Sequence, residues 1–88
     1  MRRVTEETRA DRTARLLVTR LDALAAAAAT LPHKEAERLV ELASVATMNA
    51  VALEMLHAER AEEIWREAHA RHPALPEVTI ELPQRLAA

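Results

Sequence analysis

The sequence predicts an all-α fold: an antiparallel helical hairpin of two long helices that dimerises into a four-helix bundle, with a short extended C-terminal arm. Three observations carry that prediction. A heptad seam runs through the first third of the chain. A proline then interrupts it. The helical stretch beyond the proline is apolar on more sides than one neighbour covers.

The seam is formed by Glu7, Ala10, Ala14, Leu17, Leu21, Leu24, Ala28 and Leu31, which recur at alternating steps of three and four. With 3.6 residues per turn, such steps keep to one face of a helix and present it to another helix. The first helix is predicted over about 5–30. Thr5 or a neighbour can cap its start, and Glu6 and Glu7 then lie beside the positive end of the helix dipole. The alanine run 25–29 has high helix propensity and little bulk, so a neighbouring backbone can come close. Leu31-Pro32-His33-Lys34 breaks the pattern, with Thr30 suited to an N-cap and Pro32 to a first turn. So short a break favours an antiparallel hairpin, a helix kinked at Pro32 being the competing geometry.

The second helix is predicted over about 33–71. His72-Pro73 ends it, because the residue before a proline avoids the α region. Glu37, Glu41, Glu59, Glu62, Glu63 and Arg66 form a charged face, and Leu39, Ala43, Ala46, Ala50, Leu53, His57, Ala61, Ile64 and Ala68 lie opposite. Between 42 and 53 there is no charge on any side. A helix that is apolar nearly all round is enclosed by more than one neighbour. A lone hairpin supplies one, so the other is expected to be a second copy or a different protein. Leu17, Leu21, Leu24, Leu42, Leu53 and Leu56 are expected to carry this packing, with Ile64 beside them. Trp65, the only aromatic residue, reads as an interface anchor. Asn49 interrupts the uncharged stretch and reads as a residue that fixes register and oligomeric state. Ser44 and Thr47 are expected to return their hydroxyls to carbonyls of their own helix.

The predicted hairpin occupies 1–72 and the arm 73–88. Pro73, Pro76 and Pro83 exclude a further helix, and residues 77–82 alternate polar with apolar, a short strand signal. Such a segment pairs with its twin or a partner's sheet edge, or lies over the bundle.

Composition narrows the function. The 88 residues contain no Gly, Cys, Phe or Tyr, and 20 of the apolar half are Ala. Without Gly there is no phosphate-cradling loop and no nucleophile elbow, and a Pro-turn hairpin needs no left-handed backbone. Without Cys there is no disulfide scaffold and no thiolate chemistry. So few large side chains give a thin core for one small domain, which self-association remedies. The uncharged stretches 23–33 and 42–53 are too short to span a membrane, and a cytoplasmic location is expected. Net charge is −2, so bulk charge does not recruit a polyanion.

Two constellations offer more specific chemistry. On a continuous helix Glu54 and His57 share a face as an E-x-x-H, and antiparallel pairing brings Glu7 and Asp11 level with them. Doubled in a dimer, this set resembles the half-bundles of ferritin-like carboxylate proteins. The resemblance implies iron or manganese bound by oxygen and imidazole ligands. Second, Arg2, Arg9, Arg12 and Arg15 recur near one side of the first helix and are candidate phosphate contacts for a DNA-binding regulator. No helix-turn-helix spacing or aromatic platform accompanies them. His69 and His72 form an i, i+3 pair, read as a polar helix end. The preferred expectation is a small non-enzymatic, homo-oligomeric adaptor, accessory subunit or regulator. It has no cofactor and contacts a protein partner through the apolar face or the 77–82 arm.

Overall fold

The first helix starts later than the seam begins, because Thr8 makes the better cap. The computed structural model describes residues 8–77, and α1 spans Arg9–Ala28. The Thr8 hydroxyl accepts from the Asp11 amide at 3.0 Å, and the Asp11 carboxylate accepts from the Thr8 amide at 3.4 Å. This reciprocal capping box satisfies two of the amides that a helix start leaves unpaired. It also occupies the Asp11 carboxylate. The predicted seam is the buried face: Ala14, Leu17 and Leu21 are in the core, with Leu24 packed against them.

The Pro32 break is present. Pro32 is itself the N-cap of α2 (His33–Ala52), and its carbonyl accepts from the Glu35 and Ala36 amides. Thr30 does not cap α2; its hydroxyl donates back to the Ala27 carbonyl at the end of α1.

The largest departure comes at 53–57, where the predicted second helix is cut in two. Glu54 has φ 61°, the only positive φ among the described residues. The Glu54 amide donates to the Val51 carbonyl at 3.0 Å and the Met55 amide to the Ala50 carbonyl at 2.8 Å. Those two bonds define a Schellman motif, a helix stop that normally takes Gly at the left-handed position. The chain does therefore need a left-handed residue and uses Glu for it. A third helix, α3, then runs from Ala58 to Arg71.

The stop is explained by what lies beyond it. In α3, Ala61, Ile64, Trp65 and Ala68 are buried, at the three-and-four spacing of a helix stripe. Continued straight from α2, that stripe would run beyond the described part of α1. Folded back, it closes the core. Leu56 in the connection is buried as well. α1 packs on both other helices, whereas α2 and α3 touch less. Full burial of Leu21, Val40 and Ile64 stabilises the unit by about 1.5–3 kcal/mol for each side chain. The described residues are thus all-helical, with three helices and no strand in place of the expected two-helix hairpin.

The inward face of α2 is rotated from the predicted one. Ala36, Val40, Ala43, Ser44 and Thr47 are buried, whereas Ala46 and Leu53 of the expected stripe are exposed. The two hydroxyls follow expectation: Ser44 donates to the Glu41 carbonyl at 2.7 Å and Thr47 to the Ala43 carbonyl at 2.8 Å. Thr47 Oγ1 also accepts from the Trp65 indole at 3.0 Å. Trp65 and Ile64 are thereby part of this unit's own core.

The start of the arm is fastened to α3. Leu75 is buried in the core cluster. His69 places Nδ1 3.0 Å from the Trp65 carbonyl and Nε2 3.1 Å from the Pro76 carbonyl. A neutral imidazole carries one N–H, so only the protonated ring donates to both. The strand-like segment 77–82 lies, beyond Glu77, outside the described residues.

Candidate functional site

The surface feature that stands out is an apolar groove between α1 and α2. It encloses about 380 Å³, and its lining includes Leu16, Ala23, Ala46 and Ala50. Leu17, Thr47 and Leu56 form part of its wall, so it opens directly onto the core. Its remaining polar groups are Thr13, Thr19 and Arg20. The outer face of α2 continues it. Leu42 is 61%, Leu53 67%, Val45 47% and, on α1, Leu16 56% exposed. Single exposed leucines are ordinary; here four large apolar side chains are exposed on the two helices that form the groove. Asn49, also exposed, lies on the same side of α2, seven residues from Leu42 and four from Leu53.

This surface arises from the sequence directly. Residues 42–53 carry no charge, yet α1 and α3 cover only the Val40–Thr47 side of α2. The opposite side has the same composition and no covering element among the described residues. Of the residues expected to pack, Leu17, Leu21 and Leu56 are buried, Leu24 is half-buried, and Leu42 and Leu53 face solvent.

The E-x-x-H is not on a helix. Glu54 occupies the left-handed stop after α2 and His57 is the N-cap of α3, so the i, i+3 face they were expected to share does not exist. Both are exposed. His57 borders a shallow polar depression with Glu59, Arg60, Glu63 and Arg66, where Arg60 pairs with Glu63 at 2.7 Å. Asp11 is engaged in its capping box, and Glu7 lies outside the described residues. Among the described residues, no group of three or more His, Asp or Glu side chains is arranged to hold a metal ion.

Of the arginine set, Arg9, Arg12 and Arg15 are exposed on α1, and Arg2 lies outside the described residues. Asp22 of α1 receives Arg71 at 2.9 Å and His72 at 2.8 Å, both from the end of α3. The hydrogen bond from the Arg71 guanidinium, and then that from His72, hold the Asp22 carboxyl below the usual carboxylate range.

No helix among the described residues is long and apolar enough to cross a membrane. Comparison with family models, with curated proteins and with solved structures finds no match.

Proposed function

We propose that the chain is a small non-enzymatic interaction protein, an adaptor, accessory subunit or regulator that works as a homo-oligomer through its α1/α2 face. The observation that supports this reading is the exposure of Leu42, Val45 and Leu53 on α2 and Leu16 on α1, alongside the groove. Apolar area left in water costs about 25 cal/mol per Å² relative to burial. A second helical layer over this face removes that cost and completes a four-helix arrangement, with α1 and α2 from each copy. The groove's chemistry is apolar contact rather than proton or group transfer. Thr47, its deepest polar side chain, is already bonded to the Ala43 carbonyl and the Trp65 indole.

Light scattering on the size-separated protein tests the reading, with Leu42→Glu and Leu53→Glu beside the wild type. Both leucines are exposed in the single unit, so helical content by circular dichroism is expected to hold while the assembled species is lost. A wild type that stays monomeric at every concentration contradicts the self-association.

A further inference from the structure

On the side of α2 that carries Leu42, the uncharged surface is bracketed by opposite charges, Glu41 lying about 100° round the helix from Leu42. Arg38 stands one helical turn before Leu42, and Glu54 follows Leu53 directly; both are exposed. Two such helices laid parallel place like charges together. Laid antiparallel, they place Arg38 of each copy against Glu54 of the other. Residue 46 is midway between 38 and 54, so this register puts the two-fold axis at Ala46. Ala46 is exposed and lines the groove, and its small side chain permits close approach of two helices at their crossing. In the same register Leu42 falls opposite Ala50 of the partner subunit, in the groove beside Leu16. Leu39 falls opposite Leu53 of the partner subunit. Large side chains thus meet small ones near the axis, leucines pair outside them, and ion pairs close both ends. A surface that complements itself in this way fits an isologous dimer.

Glu54 adds an independent observation. Its left-handed backbone favours Gly or Asn over Glu. Gly would relieve the backbone and remove the negative charge set against Arg38 in this register. A charged side chain at a strained position points to a role for that side chain.

We infer that the occupant of the α1/α2 face is a second copy of this chain, packed antiparallel along α2 with Arg38–Glu54 ion pairs between subunits. The inference rests on the self-association proposed above and adds its register and polarity. Sedimentation equilibrium on the full chain tests it with Arg38→Glu, Glu54→Arg, the double variant, and an equimolar mixture of the two single variants. Each single variant turns two attractions into two repulsions and is expected to raise the dimer dissociation constant about tenfold or more at low salt. The double variant, and the mixture as a heterodimer, restore both pairs and return to within about threefold of wild type. Circular dichroism checks that each variant is helical. Single variants that dimerise like wild type, or a mixture that fails to recover, overturn the register and leave self-association standing. A monomeric wild type, including one that pairs only with an unrelated protein, overturns both.

Discussion

Glu54 holds a backbone conformation for which the chain has no glycine to offer. A left-handed residue with a Cβ costs about 1–2 kcal/mol relative to the right-handed conformation. Glu54→Gly is therefore expected to raise unfolding free energy by about 1 kcal/mol in urea titrations run below the self-association range. The opposite case is Thr47, which accepts the buried Trp65 N–H. Thr47→Val keeps the shape and strands that donor, so the expected loss is about 1–3 kcal/mol. Trp65→Phe removes the donor and leaves the Thr47 hydroxyl on Ala43. The Thr47–Trp65 bond was not legible in the sequence, because the two residues meet only once α3 turns back. The hydroxyl-to-carbonyl bonds of Ser44 and Thr47 were legible because they stay within one turn.

At the scale of elements, α1 could be read almost directly. Its seam is local, and helix periodicity alone decides which face is buried. The proline entry to α2 was equally plain. The stop at 53–57 was not, since neither Gly nor Pro marks it and every residue there tolerates a helix. What decides it is the distant gain from burying Leu56, Ala61, Ile64 and Trp65 against α1. That same stop dissolved the expected E-x-x-H face, so the candidate metal ligands depended on an element boundary the periodicity could not see. Leu56→Ala, by opening the core at this corner, is expected to cost about 2–5 kcal/mol by chemical denaturation. The end of α3 is tied to α1 through Asp22, with Arg71 and His72. The folded carboxyl is held below its unfolded value. Its stabilising contribution is complete above the ordinary carboxylate pKa and is lost as pH falls through the depressed folded value. Asp22→Asn is thus expected to flatten the acid limb of melting temperature against pH, which thermal unfolding across pH 2–5 measures (about that range, from the usual carboxylate values).

Across the whole molecule, the composition sets a small core against a surplus of apolar surface. An alanine-rich chain with one aromatic residue was expected to have too little core for itself. Three helices bury Leu17, Leu21, Val40, Leu56, Ile64 and Trp65 together, which is more than a two-helix hairpin encloses. Among the described residues, the exposed large apolar side chains lie on α2, its C-cap and the neighbouring edge of α1. In the proposed assembly a second copy covers this side. The methyl groups of Leu42 and Leu53 report on it directly by nuclear magnetic resonance, through their relaxation by a soluble paramagnetic agent in a concentrated sample. Both are expected to be shielded at high protein concentration and to become exposed on dilution. Methyl groups as accessible as their 61% and 67% exposure in the single unit implies, at every concentration, would contradict it.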